Sequence, residues 1–380
     1  MSLKSTPRRL IQKLLWAPLY RLGRLRRLDP CLVLFASELE PHPGDNFLPL
    51  MRRLTEEGYD CRFFSITQEL PRRQRHKRAM RFIWAYSRAR CTFLVDSFPT
   101  INACKPRPGA AVVQLWHVCG AFRKFGHSIR EPGPGGRLPR PVPMHRGYTH
   151  VCASAPGILP QLAEAYACDP AVIVPWGVPR TDFYFSSENI AKSKEKVLEA
   201  FPEIGSRKIV LYAPAFRGGG PDRDGALDYD ALSYALDAGC ALILKSHPNV
   251  RTHIPLSSPE QDPFVFDAAH LPIETLLCAA DLLISDYSSL IFEYSLLGRP
   301  MLFFPYDLED YDQARSFYVS YLRFVPGDLV WSTEDIAAAV RRNLFQGQFD
   351  PARVEAFSSA NMSACDGHST ERILHNIFGI

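Results

Sequence analysis

Short apolar runs follow one another along this chain, each set apart by an amphipathic or polar stretch, and they leave it few ways to fold. A first series reads CLVLFAS (31–37), CRFFSI (61–66), CTFLVDS (91–97), AVVQLW (111–116), HVCAS (150–154) and AVIVPW (171–176). A second reads KIVLYAP (208–214), ALILKSH (241–247), FVFDA (264–268), LLIS (282–285) and MLFFP (301–305). The runs are apolar throughout rather than at alternate positions, so both faces of each strand have to be covered. Segments with helical spacing lie between them, near 46–57, 71–88, 155–166, 188–200, 228–238, 288–297 and 334–345. Strand–helix alternation of this kind predicts parallel sheets covered by helices on both faces. The expected class is α/β, and a length of 380 residues suits two doubly wound, Rossmann-like domains facing each other across a cleft. The two strand series divide around the charged helical stretch near 188–207. Ligands of such sheets sit outside the carboxyl ends of the strands, so chemistry is expected there.

Composition narrows the functional classes. A 46% apolar, 22% charged chain is ordinary for a folded protein. Its apolar runs are all too short to span a bilayer. The N-terminus reads as lacking a signal peptide, because its apolar pieces are short and broken by Pro18 and by arginines. The ten cysteines stand singly, without a C-x-x-C pair, which argues against zinc sites and thioredoxin-like motifs and for a reducing cytoplasm. Charge is unevenly placed. Lys4, Arg8, Arg9, Lys13, Arg21, Arg24, Arg26 and Arg27 precede the first acidic residue, and together exceed the formal net charge of +4, so the remaining body is net acidic. Leu10, Leu14, Leu15, Leu22 and Leu25 recur among them at roughly helical spacing. An amphipathic basic arm that docks reversibly on an anionic membrane surface is one reading; a basic tail packed on its own domain is the other. The cluster RRQRHKRAMR (72–81) reads as a solvated helix face or a landing strip for an anionic lipid or polymer, not as a nucleic-acid site, because the body lacks a net basic charge.

Four segments combine polar groups with strand ends. In LLISDYSSLIFEYS, Ser285, Asp286, Ser288 and Ser289 close a strand and open a helix. First-turn N–H groups there have no intrahelical partner, and capping needs one such side chain, so the cluster points to a phosphate site, with Glu293 one turn on for a ribose hydroxyl. In VVQLWHVCGAFRKFGHS, His117 follows a strand directly, Gly120 allows close backbone approach, and Arg123 and Lys124 add positive charge. A neutral imidazole is suited to taking a proton from an alcohol. LILKSHPN ends a third strand in Lys245 and His247, and LYAPAFRGGG places Arg217, whose forked donors suit phosphate, after a fourth.

Taken in order, these segments resemble the CDP-glycerol glycerophosphotransferase family, which builds teichoic-acid and capsule poly(glycerol phosphate) chains. QLWHVCGAFRKFG is similar to its W-H-x-x-G-A-x-K-K-x-G segment, LYAPAFR to Y-A-P-T-[FW]-R and LKSHPN to L-K-x-H-P. LISDYSSLIFEYSLLGRPMLFFPYDLEDY resembles S-D-Y-S-S-x-x-[FY]-[DE] with the Y-D-x-x-x-Y after it, and CDGHSTERI the closing D-G-x-[AS]-x-x-R-[IV] helix. Ala215 stands where Thr is usual, and Arg123 where Lys is usual.

The resemblance implies a GT-B-like fold: a membrane-surface arm over 1–29, an acceptor-side domain over 30–187, a CDP-donor domain over 188–350 and C-terminal helices over 351–380 returning to the first. It implies transfer of glycerol phosphate from CDP-glycerol to an undecaprenyl-linked acceptor hydroxyl, with CMP released. The enzyme would be peripheral on the cytoplasmic face of the cell membrane and use no cofactor or metal. His117 would be the base and His247 would assist the leaving CMP. Arg217, Lys245, Ser285, Asp286, Ser288, Ser289 and Glu293 would hold the donor, and Trp116, Gly120, Arg123 and Lys124 would lie on the acceptor side. Three readings stand beside it: a GT-B nucleotide-sugar glycosyltransferase, a CDP-ribitol-using phosphotransferase and a membrane-docked scaffold without turnover.

Overall fold

The computed structural model describes residues 12–129, 145–215, 227, 229–236, 238–246, 264–309, 311 and 316–380. Arg217, His247, the loops at 130–143 and 217–225 and the first eleven residues of the basic arm lie outside them. The chain divides into two compact units, Met1–Asp182 with Ser363–Ile380, and Phe183–Met362.

The first unit holds a six-stranded sheet in the order β2-β1-β3-β4-β5-β6. Its strands are β1 (Asp29–Ser37), β2 (Asp60–Ser65), β3 (Ala89–Leu94), β4 (Ala111–Gln114), β5 (His150–Cys152) and β6 (Ile173–Val174). All pairings are parallel. β1 lies between β2 and β3, so the topological switch point falls between the carboxyl ends of β1 and β3. Val33, Phe35, Phe93, Val113 and Leu115 fill one face with Phe47, Leu50 and Leu54; Leu32, Leu34 and Leu94 fill the other with Phe82, Ile83 and Tyr86.

The second unit repeats the design with β7 (Lys208–Tyr212), β8 (Cys240–Leu244), β9 (Val265–Asp267), β10 (Leu282–Ser285), β11 (Met301–Phe303) and β12 (Asp328–Leu329). Their order is β12-β11-β10-β7-β8-β9, again all parallel, which puts the switch point between β7 and β10. β12 was not expected; two residues are too short to leave a period in the sequence.

Two boundaries differ from the sequence expectation. The first crossing comes at Asp182 rather than after 187. The helix Pro351–Met362, expected to return to the first domain, stays in the second, where Phe357 stacks on Phe292 at 5.3 Å. Only the final helix, Ser369–Phe378, joins the first unit, held by Asp182, whose carboxylate accepts from the Ser369 and Thr370 N–H groups at 2.9 and 2.8 Å.

The arm also departs from an independent element. Helix Ala17–Gly23 packs on helix Arg72–Tyr86. Trp16, Tyr20 and Gly23, one helical turn apart, are buried, and Tyr20 stacks on Tyr86 at 5.3 Å. A Cβ on Gly23 would lie 2.0 Å from Ser87 Oγ, so only glycine lets the two helices approach this closely. Leu14, Leu15, Leu22 and Leu25 remain exposed on the outer side together with Arg21, Arg24, Arg26 and Arg27.

Candidate functional site

In the second unit, the polar turn after β10 lies at the switch point. Its first two residues, expected to touch a ligand, instead build the frame. Ser285 Oγ donates to the Ala213 carbonyl at 2.8 Å. Asp286 Oδ1 accepts from the N–H groups of Ala215 at 2.7 Å and Tyr287 at 2.6 Å. Both side chains are buried, and both bonds from the β10 turn to the Ala213–Ala215 segment staple the loops after β7 and β10 together. Ser288 and Ser289 are half-exposed. Ser289 makes no side-chain capping bond and Ser288 only a long one, accepting from Leu290 N–H at 3.4 Å, so these hydroxyls are not committed to capping the helix. The helix that follows, Leu290–Ser295, has six residues, which weakens the expected dipole contribution, and Glu293 is buried rather than presented.

An aromatic brace that sequence reasoning did not assign stands behind the turn. Tyr287 stacks on Tyr311 at 3.8 Å and donates to Asp307 Oδ1 at 3.1 Å, while Tyr321 donates to the Asp286 carbonyl at 2.7 Å. The Y-D-x-x-x-Y run carried the signal, since it supplies both Asp307 and Tyr311. Lys245 was expected to hold phosphate, yet its Nζ donates to the carbonyls of Leu271 at 2.6 Å, Ala269 at 2.7 Å and Ala268 at 3.4 Å. Burial lowers its pKa below the ordinary lysine value, opposed by the charges of Glu274 and Asp267. Its role as placed is to tie down the turn after β9.

In the first unit, β4 ends in a strained corner. Trp116 has φ of +62°, a left-handed conformation that costs a bulky residue roughly 1–3 kcal/mol. Its ring, expected on the acceptor side, is half-buried. It stacks on Phe125 at 5.1 Å and meets Tyr166 and His145 edge-on at 5.5 and 5.6 Å, making it part of an aromatic wall.

The corner turns His117 so that Nδ1 lies 3.1 Å from the Val95 carbonyl, at the end of β3. A carbonyl only accepts, so Nδ1 carries the hydrogen and Nε2 holds the lone pair. The imidazole's pKa is lowered to about 4, first by burial and further by the charges of Arg180 and Arg123; the Val95 bond opposes this. His117 is therefore neutral at physiological pH, with its proton-accepting atom defined. Arg123 lies over the Phe122 ring at 5.6 Å, Lys124 is half-buried, and Gly120, at φ +65°, donates its N–H to Ser154 Oγ at 3.1 Å. Arg180 was not singled out by sequence reasoning; the arginine after β6 in WGVPRTD resembles the other strand-end cations and could have been.

The β1/β3 switch point is closed by Asp96. Its Oδ2 accepts from Ser37 Oγ at 2.6 Å and from the N–H groups of Glu38 and Leu39 at 2.8 and 3.0 Å. Burial raises its pKa to about 7 against the pull of those bonds. The unfolded chain thus releases this proton at lower pH than the folded one, so Asp96 withdraws stability as pH rises from about 4 to about 7.

The structure thus sets His117 beside Trp116 and under the charges of Arg123 and Arg180 in the first unit, with Gly120 and Lys124 on the same loop, and groups Ser285, Asp286, Ser288 and Ser289 in the second. Known proteins resemble the chain over nearly its whole length. Residues 18–379 match the family model described as CDP-glycerol:poly(glycerophosphate) glycerophosphotransferase. A teichoic acid ribitol-phosphate primase of Bacillus spizizenii is 38% identical over 301 residues, covering 77% of this chain and 76% of that protein. A poly(ribitol-phosphate) polymerase of the same species is 32% identical over 94% of this chain but only 58% of its own length. A glycerol-phosphate primase of Bacillus subtilis is 27% identical over 74% of this chain and 71% of that protein. Among solved structures, the wall teichoic acid polymerase TagF superposes with a TM-score of 0.76 at 19% identity, over 99% of this chain and 96% of that one.

Proposed function

The chain belongs to the CDP-glycerol:poly(glycerophosphate) glycerophosphotransferase family, and from that premise we propose that it transfers an alditol phosphate from a CDP-alditol to a hydroxyl of a lipid-linked teichoic-acid acceptor. The observation that supports this best is His117. It is neutral, held as the Nδ1–H tautomer by Val95, with two arginine charges acting on it. In this reading the acceptor oxygen attacks the alditol-bearing phosphorus, its P–O bond forms as the phosphoanhydride P–O bond breaks, and CMP leaves. His117 Nε2 takes the acceptor proton. The Ser288–Ser289 turn and Arg217 hold the diphosphate, and His247 protonates or stabilises the departing CMP phosphate. Such a reaction needs positioning and charge neutralisation, which cationic side chains and backbone N–H groups supply without a metal.

Glycerol is the alditol that the motifs suggest. The ribitol-phosphate primase, at 38% identity, favours ribitol over the glycerol-phosphate primase at 27%. We therefore take ribitol phosphate as the transferred unit and glycerol phosphate as the second reading. The test is CMP release from CDP-ribitol and CDP-glycerol in parallel, with UDP-glucose as the sugar-donor control, on a short lipid-linked primer, with and without EDTA. Acceptor-dependent CMP from CDP-ribitol, insensitive to EDTA, is expected; preference for CDP-glycerol would reverse the alditol, and UDP release would overturn the reading.

The outer face of the docked N-terminal helix fits an anionic membrane. Leu22 and Leu25 are exposed beside Arg21, Arg24, Arg26 and Arg27, and no described helix is long and apolar enough to cross a membrane. We propose peripheral attachment to the cytoplasmic face through this surface. Each basic residue near anionic lipid contributes about 1 kcal/mol, so Arg24→Glu with Arg27→Glu should weaken co-sedimentation with phosphatidylglycerol vesicles at least about tenfold. Equal sedimentation of variant and parent would remove this part of the proposal.

A further inference from the structure

The strained corner before His117 needs something to hold it, and the fold supplies a specific latch. Asn46, 5% exposed, lies in the loop before helix Leu48–Glu56. Its Nδ2 donates to the Trp116 carbonyl at 2.9 Å, and its Oδ1 accepts from the Arg180 N–H at 3.2 Å. On the other side of the same residue, the Trp116 N–H donates to Gln114 Oε1 at 2.9 Å, and Gln114 Nε2 donates to the Asp96 carbonyl at 2.8 Å. Both backbone polar groups of the left-handed residue are therefore fixed by buried side-chain amides. The amide orientation of Asn46 follows from its partners, since a carbonyl only accepts and a backbone N–H only donates.

We propose that Asn46 is a positioning residue for the phosphotransfer: with Gln114 it locks Trp116 in the left-handed conformation that seats the His117 imidazole against Val95 and aims Nε2 outward. The inference rests on His117 being the base of the proposed reaction. Its chemistry is selective. Aspartate matches the shape of asparagine and could still accept from Arg180, but it cannot donate to the Trp116 carbonyl and would set two acceptors against each other. The same amide also joins the Trp116 corner to the backbone of Arg180, the residue whose charge acts on His117. The groups that face His117 are Trp116 at 4.3 Å between ring centroids, the Val95 carbonyl, the charges of Arg180 and Arg123, and the titratable His145, whose own pKa is lowered to about 4 by burial first.

The test compares Asn46→Asp and Asn46→Ala in the full chain, with Gln114→Met as a second way to open the latch should either fail to fold. Two readouts are taken. Turnover is expected to fall about tenfold to a hundredfold in kcat, with KM for the CDP-alditol within about threefold, as for a displaced but intact catalytic group. Independently of turnover, NMR titration of the histidine-labelled chain should show His117 moving from about 4 toward 6.5 once it leaves its seat. A folded Asn46→Asp or Gln114→Met chain whose His117 titrates as in the parent overturns the latch, whatever its activity. Retained turnover in His117→Ala overturns the base assignment and leaves the latch to be judged by the titration alone. A fall in kcat with an unmoved titration assigns Asn46 a general structural role and also refutes the proposal.

Discussion

His117→Ala is expected to lower kcat by about a hundredfold to ten-thousandfold, the range for loss of a positioned general base, with little change in the KM of the CDP-alditol. In the proposed reaction His117 acts on the acceptor hydroxyl and not on the donor, so donor affinity should survive the substitution. The pH profile adds a second signature. A histidine at its ordinary value would lose activity below about 6.5, whereas His117, lowered to about 4, stays unprotonated well below neutrality. The acid limb of kcat/KM is therefore expected near 4 rather than near 6.5. Stability follows the same group in a fixed direction. Between those values the unfolded chain binds a proton that the folded chain refuses, so His117 makes the protein more stable as pH rises from about 4 to 6.5. An acid limb near 6.5 that persists in His117→Ala would place the titrating base elsewhere.

The second large effect concerns Asp286, and it is an effect on stability. Asp286→Ala removes the acceptor for two buried N–H groups, those of Ala215 and Tyr287, and severs the staple across the β7/β10 switch point. Each buried donor left unsatisfied costs about 1–3 kcal/mol, so a loss of about 2–6 kcal/mol is expected on denaturant unfolding. Asp286→Asn keeps an acceptor oxygen in place and should lose markedly less. Ser289→Ala, whose hydroxyl makes no capping bond, should leave stability nearly unchanged while raising the KM of the CDP-alditol. Were Asp286→Ala as stable as the parent with only donor affinity reduced, Asp286 would be a ligand group as the motif first suggested.

This contrast shows what the sequence could and could not disclose. Fully apolar strands alternating with amphipathic helices made the paired parallel sheets legible, because that pattern has few other solutions. The strand-end placement of His117 and the polar turn at 285–289 followed from the same alternation. The division of labour within the turn did not, because Ser285, Asp286, Ser288 and Ser289 look alike on paper. The loop after β7, distant in sequence, supplies a backbone partner to each of the first two, with the Tyr287 N–H as a second for Asp286. The partners of Lys245 were out of view for the same reason: they are carbonyls of a turn more than twenty residues on.

The N-terminal helix presented an ambiguity of a different kind. Leu14, Leu15, Leu22 and Leu25 suggested an amphipathic arm, but Trp16, Tyr20 and Gly23 supply the face that docks. Helical spacing marks an apolar face without saying whether protein or lipid covers it. The left-handed Trp116 lay furthest from view. Nothing local favours that conformation for an aromatic residue, and it exists because Asn46, Gln114 and the surrounding rings enforce it.

The central claim, a CDP-alditol phosphotransferase with His117 as its base, is tested most directly by the initial rate of CMP release on a short lipid-linked teichoic-acid primer, for the parent chain and His117→Ala, each with and without primer. The account predicts primer-dependent CMP in the parent and a rate reduced at least about a hundredfold in the variant. Primer-dependent CMP released equally by both would contradict it.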